Sequence, residues 1–171
     1  NRVSYRKENK EMDIGCITLN KASVCDADEI YDLQIRSFRA LLEKYKDFDH
    51  NPGAEKAERT VHRLKEPNSD YYFISLKEKH IGALRIQSSE QVSKLKQIFI
   101  LPEYQGHGYA QKAILIAEAL YPHAKKWELD TILQEEKLCY LYEKMGYRKT
   151  GKIEHIKSGM DIVYFEKAAA V

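Results

Sequence analysis

The apolar run Ile98-Phe99-Ile100-Leu101 stops at Pro102, and Gly106 and Gly108 then separate it from a helical pattern that begins at once. This strand, glycine loop and helix constrain the fold more than any other stretch. A helix N-terminus leaves about four backbone N–H groups without partners and carries roughly half a positive charge. Glycines ahead of it let an anion approach those donors without a wall of Cβ atoms, and Ala110 is nearly as small. The construction suits a pyrophosphate. Ordinary turn chemistry also puts glycines at such a junction, so a second signal is needed to choose between the two.

Periodicity supplies the surrounding elements. Ile14 to Leu19 reads as a strand. Asp26 with Glu29 three residues on reads as a capping box, and Ile30, Leu33, Phe38, Leu41 and Leu42 continue a helix to about Glu43. Lys44 to His50 reads as a loop, and Asn51-Pro52 as the start of a second helix that Pro67 ends. Tyr71 to Leu76 and Ile81 to Ile86 form a hairpin. Lys94 to Leu101 is a strand, Gly108 to Leu120 a helix with Ala110, Ala113, Ile114, Ala117 and Leu120 on one face, and Trp127 to Leu133 a strand. Lys137 to Met145 is a short helix closed by Gly146, and Tyr147 to Ile156 with Met160 to Phe165 makes a last hairpin. The order β-α-α-β-β-β-α-β-α-β-β predicts an α/β (α+β) fold. It is a mixed, mostly antiparallel sheet of six to seven strands with helices on both faces. One domain spans 14–167, between a polar, flexible leader (1–13) and a tail (168–171).

Of the 171 residues, 43% are hydrophobic and 32% charged, the balance of a soluble globular domain. A net charge of +2 argues against nucleic acid as the main partner. No apolar run approaches the ~18 residues of a membrane span. Cys16, Cys25 and Cys139 show no zinc spacing and no disulfide framework, so no metal is expected; reduced, buried thiols in a cytoplasmic protein fit best. The phosphate loop GxxxxGK[ST] is absent. The dinucleotide pattern GxGxxG fails at Gln111.

The spacing that does match is [QR]xxGx[GA], present as Gln105-Gly106-His107-Gly108-Tyr109-Ala110. With "LCYLYEKMGYRKTGK" about 35 residues downstream, it resembles the GNAT superfamily of N-acetyltransferases over about residues 14–167. The resemblance implies acetyl-CoA as acyl donor. Backbone of Ile98, Phe99 and Ile100 would pair with the pantetheine arm, and backbone N–H groups of Gln105, Gly106, His107, Gly108, Tyr109 and Ala110 would hold the pyrophosphate. His107 is read as a passenger there rather than a base. Tyr142 matches the family's tyrosine near the coenzyme sulfur and is the general-acid candidate; Tyr140 points elsewhere, and Cys139 is read as a packing thiol.

Two positions depart from the family pattern. Glu135 stands where Asn is frequent, and Lys94 where a glutamate base is frequent. Lysine cannot accept a proton, which leaves the base open. Glu128 and Asp130 share one strand face and can reach the cleft, although a solvated or salt-bridged face is the default for such a pair. The acceptor pocket is expected between "EKYKDFDHNPGAE" and the last hairpin. The acceptor would be a small-molecule or peptide amine, with no nucleic acid or membrane partner; a homodimer is compatible with this reading. The activity implied is direct transfer of an acetyl group to a primary amine in a ternary complex. The alternative is a module that binds CoA without catalysis.

Overall fold

The alternating and helical patterns resolve, in the computed structural model, into eleven main elements over the described residues 17–169. The strands are β1 (Ile17–Lys21), β2 (Ser69–Leu76), β3 (Lys79–Ser88), β4 (Val92–Ile100), β5 (Lys126–Ile132), β6 (Arg148–Lys157) and β7 (Met160–Ala168). The helices are α1 (Ala27–Tyr45), α2 (Ala57–Lys65), α3 (Tyr109–Leu120) and α4 (Glu136–Lys144). One seven-stranded sheet runs β1-β2-β3-β4-β5-β7-β6. Every neighbouring pair is antiparallel except β4 and β5, which are parallel. The expected fold class and element order are both present.

Helices cover both faces because the strands are apolar on both. On one side Ile114 and Ala117 of α3 and Tyr142 of α4 pack with Trp127, Leu129 and Phe165. On the other, Ile30 and Leu33 of α1 pack with Tyr71, Phe73, Ala83 and Phe99. Each fully buried Ile, Leu or Phe stabilises the fold by roughly 1.5–3 kcal/mol. Strands β3 and β4 approach most closely at Gly82, where a Cβ would stand 2.1 Å from the Phe99 carbonyl oxygen.

Several local expectations are corrected. The first capping box lies one turn early. Ser23 N–H donates to the Asp26 carboxylate at 2.8 Å, a 3-10 turn fills Val24–Asp26, and Glu29 instead meets His80 at 2.6 Å. Asp26 is thus already engaged and does not cap α1. That helix runs on to Tyr45, ending at Lys46 in the left-handed region, and it buries Gln34 and Ser37 among its apolar residues. Asn51-Pro52 starts only a 3-10 turn, capped by a 2.7 Å bond from Gly53 N–H to Asn51. The chain then extends at Glu55 and Lys56, because Glu55 turns inward to receive Gln34 and Arg63. Cys139 is buried as expected, but Cys25 is exposed. Strand β7 continues to Ala168, and Ala169 N–H donates to the Lys125 carbonyl at 2.9 Å. The leader, Cys16 and the start of the first predicted strand lie outside the described residues.

Candidate active site

The site begins where the sheet splits. Strands β4 and β5 share three rungs, Val92 with Lys126, Ser93 with Trp127 and Lys94 with Glu128. Beyond them each strand continues with its outer neighbour only, β4 with β3 through Ile100 and β5 with β7 through Ile132. A bulge starts the separation. Arg85 stands opposite Gln97 and Ile86 opposite Leu95, so Lys96 has no partner of its own. Bulges add twist and re-aim side chains. The result is a wedge whose two inner edges carry backbone N–H and C=O groups that do not pair with each other. Ile98, Phe99 and Ile100 lie on one of those edges; their side chains pack into the two cores.

The wedge leads into the glycine loop. Gln105 Nε2 donates to the Ile100 carbonyl at 2.8 Å and ties the loop back to the strand end. Gly106 and Gly108 adopt φ of +78° and +80°, left-handed values that a side chain takes only with strain. Residues 105–108 are exposed, with His107 among them, whereas the Tyr109 side chain is buried in the core. No acidic residue stands in the first turn of α3, and Lys112 N–H is bonded back to Gly108 at 3.2 Å. The loop's shape and charge therefore fit a diphosphate.

On the α4 side, Tyr142 is buried between the rings of Tyr147 and Phe165, with centroids 6.2 and 6.1 Å away. Burial, then the charges of Asp130 and Cys139, push its phenol well above the usual tyrosine range. Burial likewise raises the Cys139 thiol, whose sulfur faces the carbonyls of Ile132 and Leu133, so it is held as a neutral thiol. Tyr140 is exposed.

Across β5 lies the opposite face. Glu128 is salt-bridged to Lys94 and Lys126, but the Asp130 carboxylate has no hydrogen bond or ion pair within 4 Å among the described residues. Asp130 is exposed to solvent at the open wedge, and the surrounding protein displaces only part of its water. Loss of bulk water there pushes its carboxyl above the usual range, against the pull of Lys96. Facing it in register is Tyr164, whose hydroxyl donates to Glu154 at 2.8 Å and is thereby pushed up to about 12.

Three chain segments meet at the acceptor side expected from the sequence. The Glu135 carboxylate, at the start of α4, receives Lys44 at 2.6 Å and the Tyr45 hydroxyl at 2.5 Å. Desolvation would raise that carboxyl, but the two bonds outweigh it and hold it below its usual value. Lys157, at the β6–β7 turn, donates to the Tyr45 carbonyl at 2.8 Å. The glutamate at the family's asparagine position thus joins α1 to α4. The carboxylates of the α1–α2 segment are partly used within it: Asp47 binds His50 at 2.9 Å and Glu55 binds Arg63 at 2.7 and 2.8 Å. Lys96, Arg85 and Glu154 also border the cleft and were not singled out by sequence. The bulge shifts the phase of β4, so Lys96 reads in the sequence as an ordinary outward lysine.

Among the described residues no helix is long and apolar enough to cross a membrane, and no cluster of three or more His, Cys, Asp or Glu side chains could hold a metal ion. Comparison with curated protein sequences finds no match. Solved structures do share the fold. The ribosomal-protein-S18-alanine N-acetyltransferase from Escherichia coli superposes with a TM-score of 0.74 at 13% identity, over 91% of this chain and 95% of that one. A spermidine N-acetyltransferase from Vibrio cholerae, in complex with CoA and spermine, gives 0.72 at 19%, over 91% and 96%. RimL, a ribosomal L7/L12 alpha-N-protein acetyltransferase in complex with CoA, gives 0.71 at 12%, over 90% and 94%. The model of the acetyltransferase (GNAT) family matches residues 27–147, from the start of α1 through Tyr147. On that match the chain belongs to the GNAT family of acetyltransferases.

Proposed function

We propose that the protein transfers an acetyl group from acetyl-CoA to a primary amine by direct attack in a ternary complex. The observation that carries this reading is the wedge beyond Lys94 and Glu128, which opens directly into the loop at 105–110. An extended, amide-bearing arm can satisfy the inner edge of Ile98, Phe99 and Ile100 as an added strand would. The N–H groups of the loop and the first turn of α3 would hold the diphosphate at the end of that arm. Acetyl-CoA supplies the activated thioester. Two of the structural neighbours are complexes with CoA, which supports acetyl-CoA as the donor.

The chain's own groups divide the proton work between the two faces of β5. Asp130, unpaired and with its carboxyl above the usual range, takes the proton that the amine must lose. It fills the role that Lys94, bound to Glu128, does not. Tyr142 is protonated at neutral pH, as any tyrosine is, and donates its hydroxyl proton to the departing sulfur from the α4 side; its burial makes it a weaker acid, so the proton moves as the C–S bond breaks and charge builds on sulfur. Cys139, neutral and turned toward backbone carbonyls, is not needed as a nucleophile, which favours direct transfer.

The test is thiol release from acetyl-CoA in the presence of a broad amine library, alongside thermal shift with CoA. Thiol release with at least one amine is expected, and Tyr142→Phe should lower turnover by about tenfold or more while leaving CoA affinity within twofold. Protection by CoA without thiol release from any amine would instead support a non-catalytic CoA-binding module.

A further inference from the structure

The face of the sheet that carries Asp130 bears cations on the β3–β4 side of the wedge and mixed charge on the other. On the β3–β4 side stand Arg85, Lys94 and Lys96. On the β5–β7–β6 side Glu128, Asp130, Glu154 and Glu166 stand with Lys126, which bridges Glu128 and Glu166, and with Lys152, which lies over the Tyr164 ring. The second core, under α1 and α2, draws on β2, β3 and β4 and leaves the β5–β7–β6 half of this face without a helix over it.

The cationic half is under-compensated. Two arginines are buried there, Arg63 at 8% exposed and Arg85 at 6%. Arg63 is fully engaged, with paired bonds to Glu55. Arg85 has one bond, to Ser69 Oγ at 3.2 Å, and a carboxylate oxygen of Glu66 at 3.8 Å; its Nε is buried with no partner. A buried guanidinium with an orphaned donor is costly unless another acceptor serves it. Lys96, the bulged residue, is solvent-accessible and has no carboxylate within 4 Å among the described residues. Lys96 and Asp130 each lie two residues past the last shared rung of β4 and β5, Lys94 with Glu128, so they stand on facing edges of the wedge. Desolvation, then the charge of Arg85, lowers the Lys96 ammonium.

We propose that the acceptor is a dipolar amine, whose amino group sits at Asp130 and whose own anionic group, a carboxylate or a phosphate, sits at Lys96 with Arg85 behind it. This rests on the acetyltransferase reading above. It also distinguishes this cleft from that of a polyamine acetyltransferase. A second ammonium in place of the anion would meet Lys94, Lys96 and Arg85, and like charges facing a ligand act as negative selection.

The experiment is thiol release from acetyl-CoA with β-alanine, its amide, and the aminoalkyl phosphate and diamine of matched chain length. Expected is a kcat/KM for β-alanine or the phosphate at least about tenfold above that of the amide, the worth of one charge-assisted hydrogen bond, with the diamine lowest. Whichever of the carboxylate and phosphate arms is faster identifies the anion. In Lys96→Met the ratio of anionic acceptor to amide should fall about tenfold, through KM, and CoA affinity provides the check on folding. Equal rates for amide and anionic acceptors, a faster diamine, or an unchanged ratio in Lys96→Met would overturn the dipolar acceptor while leaving the enzyme intact. Thiol release from no amine at all would overturn the acetyltransferase reading, and this inference with it.

Discussion

Lys94 and Glu128 face each other in parallel register and form the last rung between β4 and β5, with their charged atoms 4.0 Å apart. Everything the site needs lies beyond that rung. The pairing also explains why a lysine is tolerated at Lys94. Its ammonium pairs with Glu128 at the base of the wedge, and in the proposed mechanism the proton acceptor is Asp130 on β5.

Asp130→Asn separates chemistry from stability. The carboxylate form is the active one, so kcat/KM of the parent falls as pH drops through the Asp130 value, which partial desolvation holds above the ordinary carboxylate range. The variant should lose about 100-fold or more in kcat/KM at neutral pH and lose that acidic limb. A raised carboxyl contributes stability below its unfolded value and loses it as pH rises through the folded value. The melting temperature of Asp130→Asn at neutral pH should therefore equal or exceed the parent's, in contrast to its activity.

Gly108→Val should weaken CoA binding by about tenfold or more, measured by calorimetric titration. At φ +80° a β-branched residue is strained by roughly 1–2 kcal/mol, and relief of that strain would move the loop donors. Gly106→Ala is the milder control, since a Cβ there meets nothing within 4 Å and only the left-handed φ resists it.

Gly82→Ala tests the wedge from its back. The new methyl would overlap the Phe99 carbonyl, so β3 and β4 must part next to Ile98, Phe99 and Ile100. A loss of about 3 kcal/mol or more is expected in denaturant unfolding, and CoA binding should fail with it.

Glu135→Gln removes the charge that joins α1 to α4. The folded pKa of Glu135 is depressed, so its contribution is present above the unfolded glutamate value and is lost as pH falls through the folded one. A loss of roughly 1–2 kcal/mol is expected at neutral pH, shrinking as the pH drops below the usual glutamate range. A pH-independent loss would show that packing, not the carboxylate, matters there.

The order of elements, the helix starting at Tyr109 and the core face of α3 were all legible in the chain, because each follows from local periodicity and from residues with few conformational choices. Gln105 to Ala110 could be read for the same reason: two glycines between a strand and a helix restrict the backbone before any tertiary contact forms. Glu135 was noticed only as a departure; its partners Lys44 and Tyr45 lie about 90 residues away, and no local rule connects them. The capping box at Ser23 was misread because two overlapping patterns compete for one carboxylate, and packing decides between them. Sequence by itself determined the loop that can receive a diphosphate, through backbone freedom and helix polarity. Only the tertiary structure decided which of two nearby acids, Glu128 or Asp130, remains unpaired, and that Lys96 is the bulged residue on the facing strand. Solvation and charge depend on what folds in from distant strands.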